Sequence, residues 1–98
     1  MNITKNKDGG KLTLILEGRL DTTTAPQLEG ELKNALEGVT DLEFDFQGLE
    51  YLSSAGLRVL LTAQKTMNKQ GKMVIRHVNG TIREVFEVTG FVDILTIE

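Results

Sequence analysis

Cysteine is absent from the 98 residues, which excludes a disulfide framework, a thiolate metal site and a cysteine nucleophile. Histidine occurs once, as His77, so a zinc site lacks ligands and a nucleophilic triad has only one residue to serve as its base. No metal and no cofactor is expected. No stretch approaches the roughly 18 to 20 apolar residues of a membrane span, and the N-terminal MNITKNKDGG lacks the apolar segment of a signal peptide. A cytoplasmic protein that does not enter a membrane is therefore expected. A surplus of positive charge is missing too: the net charge is -3 with both signs mixed along the chain, which leaves no basic stripe for nucleic acid. Aromatic residues make up only 5% of the chain, so Phe86 and Phe91, with Met67, are expected in the interior.

What is present suits one domain spanning residues 1 to 98, with one core. Residues 1 to 7, the DGG at 8 to 10 and KLTLILEGRL form a predicted β-hairpin. Ala25, Leu28, Leu32, Ala35 and Leu36 then recur at helical spacing, with Thr24 and Gln27 as a capping box and Gly38 as the stop. DLEFDFQG alternates Leu42, Phe44 and Phe46 with polar residues, a strand with one buried face. A second helix runs from Ser54, with Leu57, Leu60, Leu61, Gln64 and Met67 on one stripe, to Gly71 as its C′ residue. KMVIRHV is a short strand. NGTIREVFEVTG repeats the helix pattern with Thr81 and Glu84 as a capping box, and FVDILTIE closes the chain as a final short strand or helix-strand end. The expected fold class is α/β, a mixed four- or five-stranded sheet covered by helices in the order β-β-α-β-α-β-α-β.

The junction in FDFQGLEYLSSAGLRVLL is the unusual feature, because a helix start needs one capping oxygen and Ser53 and Ser54 offer two. Three readings of Ser54 are open. It could cap the helix, accepting a hydrogen bond from a backbone N–H. A nucleophile elbow also places a serine at a strand-to-helix turn, but position 52 is Leu where that motif has Gly, and only His77 could act as base. The third reading is regulatory: the free N–H groups and positive dipole of a first helical turn accommodate a phosphate on the hydroxyl. The small pair Ala55 and Gly56 would let a partner approach the backbone closely.

FDFQGLEYLSSAGLRVLLTAQK resembles the signature of STAS domains of the anti-sigma factor antagonist family: a strand containing aspartate, a Tyr or Phe, an apolar residue, Asp or Ser, a phosphorylatable Ser, a small residue, then Gly-Leu. LEGRLDTTTAPQL is similar to that family's strand, turn and helix opening, and the order of elements agrees over nearly the full chain. The resemblance implies a bacterial cytoplasmic switch and not an enzyme. Its partners would be an anti-sigma factor with serine kinase activity and a PP2C-type phosphatase. The unmodified form would bind the anti-sigma factor and release the sigma factor, and phosphorylation would abolish binding. A non-switching STAS scaffold or transporter-associated module is the alternative.

Carried across, Ser54 corresponds to the phosphoacceptor, with Ser53 as the alternative; Ser53 stands where the family often has aspartate. The partner-binding set is Asp21, Thr22, Ser53, Ala55, Gly56, Leu57 and Arg58. Asp21 is expected to be replaceable without loss of fold, although a turn or cap role is equally open to it. Arg58 could meet a partner carboxylate, fold back toward a phosphate, or remain a solvated helix charge. Asp45 could hydrogen-bond the serine loop or simply face outward from its strand. His77 is expected to cap or pack locally.

Overall fold

The computed structural model describes residues 1–98. Strands β1 (Asn2–Asp8) and β2 (Lys11–Leu20) form the antiparallel hairpin, closed by Gly9 and Gly10 with Asp8 opposite Lys11. Helix α1 (Ala25–Ala35) leads to β3 (Asp41–Leu52), helix α2 (Ser54–Gln70) to β4 (Lys72–Arg76), and helix α3 (Gly80–Thr89) to a 3-10 turn at Phe91–Asp93. The sheet order is β1-β2-β3-β4, with β3 parallel to both β2 and β4. Successive parallel crossovers step in one direction across the sheet, and their shared right-handedness places the helices on one face. Leu12, Leu14 and Leu16 of β2, Leu42, Phe44 and Phe46 of β3, and Met73 and Ile75 of β4 are buried against them. Phe46 stacks on Phe86 of α3 with ring centroids 6.5 Å apart, and Lys5 reaches Glu31 of α1 at 2.7 Å. The opposite face carries polar residues, among them the ion pairs of Glu43 with Lys11 and Arg76.

Strand β3 is longer than the alternation in DLEFDFQG predicts, because it continues through Leu49 to Leu52. Two register shifts against β2, between Ile15 and Glu17 and between Gly18 and Arg19, absorb one extra residue of β3 each. A bulge resets which side chains face inward. Leu49 is consequently buried although it breaks the two-residue period set by Leu42, Phe44 and Phe46, and the second shift returns Leu52 to that period, also buried.

The helix ends differ from the sequence expectation in detail. Thr24 precedes α1 but makes no capping bond, because its hydroxyl is engaged by the chain before it. Helix α1 ends at Ala35, before Gly38 is reached. Asn79, not Thr81, caps α3: its side chain accepts from the Ile82 N–H at 2.9 Å and donates to the Leu49 carbonyl at 3.0 Å. Gly71 closes α2 with an extended backbone, φ 173°, so left-handed geometry is not what selects glycine. A Cβ there would lie 2.0 Å from the Thr40 carbonyl oxygen.

The expected last strand is reduced to one parallel bridge between Ile97 and Ile75. Ile75 N donates to Thr96 O and Glu98 N donates to Ile75 O, both at 2.9 Å. The 3-10 turn takes Phe91–Asp93 and its Phe91 carbonyl also holds the N–H groups of Ile94 and Leu95, so only Thr96–Glu98 lie beside β4. Phe86 and Met67 lie fully in the core, and Phe91 packs half-buried against it.

Candidate functional site

The C-terminal ends of β2 and β3 are neighbours, so the loops that follow them open side by side. After Leu20, the Asp21 Oδ1 atom accepts from the backbone N–H of Thr23 at 3.0 Å and of Thr24 at 3.1 Å. The Thr24 hydroxyl accepts from the Asp21 N–H at 2.9 Å and donates to the Arg19 carbonyl at 2.7 Å. The Thr24 N–H does most to hold the Asp21 carboxyl below its ordinary value, against a smaller opposing effect of burial, with help from the Thr23 N–H, the Thr24 hydroxyl and the Arg19 charge. Asp21 therefore organises the corner, the turn role that the sequence left open to it. Thr22, beside it, is exposed.

The second corner is tied to the first by a hydrogen bond from Ser53 N to Leu20 O at 2.9 Å. Ser53 has the extended backbone of an N-cap, φ -98° and ψ 174°, and its hydroxyl accepts from the Gly56 N–H at 3.4 Å. The capping role weighed for Ser54 thus belongs to Ser53. Ser54 is the first residue of α2, exposed, with no hydrogen bond from its hydroxyl to the protein. Gly56 and Leu57 are buried and turned away from solvent, which corrects their place among partner-contacting residues. A Cβ on Gly56 would lie 2.7 Å from both Leu20 Cγ and Leu52 Cδ1, so glycine lets the helix start settle onto the two strand ends.

Ala55 is half-buried and Arg58 is exposed. With Thr22, Pro26, Glu29 and Val59 they border a shallow hollow of about 230 Å³ between α1 and α2. Arg58 belongs to no ion pair in the folded chain. Asp45 is not brought to the serine loop. It accepts from the Gln47 N–H at 2.9 Å and pairs with His77 Nδ1 at 2.9 Å, on the polar side of the sheet. Burial pushes the Asp45 carboxyl up, but the Gln47 N–H and His77 together bring it below its ordinary value. His77 is engaged locally, and no group of three or more His, Asp or Glu side chains is placed to hold a metal ion.

Sequence reasoning missed Arg19 and Tyr51. They are paired across β2 and β3 beyond the second register shift. The Arg19 guanidinium carbon lies 4.1 Å from the Tyr51 ring centroid. The pairing depends on the bulges, and nothing in the linear spacing signals it.

The family described as "Mlab, STAS domain" matches residues 3–96, nearly the whole chain. This chain is a STAS domain. BtrV of Bordetella bronchiseptica is 37% identical over 99% of the chain and 85% of its own length. The anti-sigma-B factor antagonist of Listeria monocytogenes is 30% identical over 100% of the chain and 90% of its own length. Among solved structures, an anti-sigma factor antagonist from Mycobacterium paratuberculosis superposes with a TM-score of 0.88 over 98% of this STAS domain and 83% of that chain, at 21% identity. The unphosphorylated form of the anti-sigma factor antagonist SpoIIAA gives 0.78 over 99% and 87%, at 18% identity. At these identities the structural likeness is one of fold, and it agrees with the mixed four-stranded sheet and three helices described above. No helix of this STAS domain is long and apolar enough to cross a membrane.

Proposed function

We propose that this STAS domain is a cytoplasmic anti-sigma factor antagonist that works as a phosphorylation switch and performs no chemistry of its own. Its unmodified form binds an anti-sigma factor with serine kinase activity, which frees the sigma factor. A phosphate on Ser54 ends binding, and a PP2C-type phosphatase restores it. The observation that carries this reading is the division of labour between the two serines. Ser53 caps the helix, and Ser54 keeps an exposed hydroxyl with no hydrogen bond to the protein. The names of the sequence relatives support the partner class.

The physical consequence of modification is asymmetric. A phosphoserine at the first turn of α2 carries nearly two negative charges beside free N–H groups and the positive end of the helix dipole, which favours the folded domain by about 0.3–1 kcal/mol. The same charge, desolvated and unpaired in an interface, costs several kcal/mol, enough to weaken binding by roughly a hundredfold or more. Thr22, Ala55 and Arg58 form the surface around it, and the Asp21 corner fixes their geometry.

The test is incubation of the purified domain with Mg-ATP and the serine-kinase anti-sigma factor encoded in the same genome, followed by mass spectrometry and size-exclusion chromatography. The expected result is phosphate on Ser54, co-elution of the unmodified domain with the kinase, and loss of co-elution on modification. Phosphate on Ser53 would overturn the assignment. Binding by Ser54→Asp equal to wild type would identify a constitutive STAS module instead.

A further inference from the structure

We infer that Arg19, held over the Tyr51 ring, is the docking point for a carboxylate side chain of the protein partner. This rests on the partner-binding reading above and extends the contact face beyond the helix starts to the ends of β2 and β3. The second register shift of β3 sets Tyr51 directly beside Arg19 on the neighbouring strand. The guanidinium then lies 4.1 Å from the ring centroid. The Arg19 carbonyl is fixed from behind by the Thr24 hydroxyl at 2.7 Å. The residue is therefore anchored at its backbone and at its planar head.

What is left open is the donor edge. The Arg19 side chain is 58% exposed, and its one ionic neighbour is Asp21 Oδ2, 3.7 Å from Nε. That distance is too long for a hydrogen bond, and Asp21 engages its other oxygen with Thr23 and Thr24. Arg76 makes the contrast: Glu43 at 2.8 Å and Glu98 at 3.0 Å already occupy its guanidinium. Arg58 is also free of ion pairs but has no aromatic ring in stacking contact, so its side chain is not pre-set in the same way.

A planar fork of N–H donors matches a carboxylate in two-pronged geometry, and a side chain already ordered on a ring has less freedom to lose when it binds. Arg and Tyr are also among the residues that most often dominate interface energetics. Tyr51 is 40% exposed, so apolar ring surface borders the cation. The occupant with matching chemistry is an Asp or Glu side chain next to an apolar one. The nearby Asp21 charge and the chain's net charge of -3 favour a singly charged carboxylate over a phosphate dianion at this spot.

The experiment measures binding of Arg19→Gln, Arg19→Lys, Tyr51→Leu and Ser54→Asp to the anti-sigma factor used above, by calorimetry at two salt concentrations. Circular dichroism and thermal melts confirm that each variant is folded. Arg19→Gln is expected to weaken binding about tenfold or more and to reduce its salt dependence, with Arg19→Lys intermediate because it keeps the charge and loses the fork. Tyr51→Leu should fall with Arg19→Gln, and Arg19→Glu should recover affinity when one acidic residue of the partner is changed to Arg. Binding of Arg19→Gln within about twofold of wild type, while Ser54→Asp still fails to bind, overturns the docking inference alone. If Ser54→Asp binds as wild type does, the switch reading fails, and the Arg19 comparison still decides the docking point. A wild-type domain that does not bind the anti-sigma factor overturns both.

Discussion

Asp21 and Thr24 hold each other in both directions: the Asp21 N–H donates to the Thr24 hydroxyl at 2.9 Å, and the Thr24 N–H donates to the Asp21 carboxylate at 3.1 Å. The carboxylate form is favoured by this arrangement, so its pKa lies below the ordinary 3.8. Ionised Asp21 therefore stabilises the fold above that value, and its contribution is lost as pH falls through the lowered one. Asp21→Asn keeps an oxygen acceptor and removes the titration. Urea unfolding from pH 6 to about pH 3 should show a shallower acid decline in Asp21→Asn than in wild type. Asp45 titrates in the same direction and will preserve part of the slope. An unchanged acid limb would show that the corner is held without the charge.

The two serines should separate cleanly in stability. Ser53→Ala removes the N-cap acceptor of α2, a change that costs about 0.5–1 kcal/mol when the bond is long, as the 3.4 Å distance here is. That corresponds to a drop in Tm of about 2–8 °C for a domain of this size. Ser54→Ala removes an exposed hydroxyl with no protein partner and should shift stability by less than about 0.5 kcal/mol. Ser54→Asp should melt at or slightly above wild type, because the carboxylate sits at the positive end of α2. Calorimetric melts of the three variants decide it; a larger loss in Ser54→Ala than in Ser53→Ala would reverse the capping assignment.

Most of the architecture was legible because apolar alternation and helical stripes survive in the linear order, and helix starts near 24, 54 and 81 were recoverable to within one residue. Strand β3 was read too short because Gln47 and Gly48 interrupt its alternation, and bulges depend on the partner strand, which no local pattern contains. The caps were misplaced for a similar reason. Thr24 with Gln27 and Thr81 with Glu84 have capping-box spacing, but Asp21 takes hold of Thr24, and Asn79 turns the chain two residues earlier than Thr81. Of the site, Ser54 was placed at the helix start in sequence, whereas the inward turn of Gly56 and Leu57 and the Arg19–Tyr51 contact required the packed structure.

Gly56→Ala tests how tightly the site is seated on the core. The added methyl would stand 2.7 Å from Leu20 Cγ and Leu52 Cδ1 in an already filled space. Overpacking of this kind costs about 1–3 kcal/mol, against a smaller gain in helix propensity. Denaturant unfolding should show a net loss of stability. A more stable Gly56→Ala protein would mean that the helix start lifts away from the strands without penalty.

The two extra residues of β3 make its length a gauge for the whole edge that carries Arg19, Tyr51 and the two serines. From Asp41 to Leu52 it covers the same rise as β2 from Lys11 to Leu20. Deleting one residue between Asp41 and Asp45, where β3 pairs one-to-one with β2 and no bulge can absorb the loss, would turn every later side chain to the opposite face. Tyr51 would then swing toward the interior and Leu52 toward water, and the serine step would arrive one residue short of the Leu20 carbonyl that receives it. An indel in this stretch is thus read simultaneously by the core and by the surface, so the stretch can change its letters far more readily than its count.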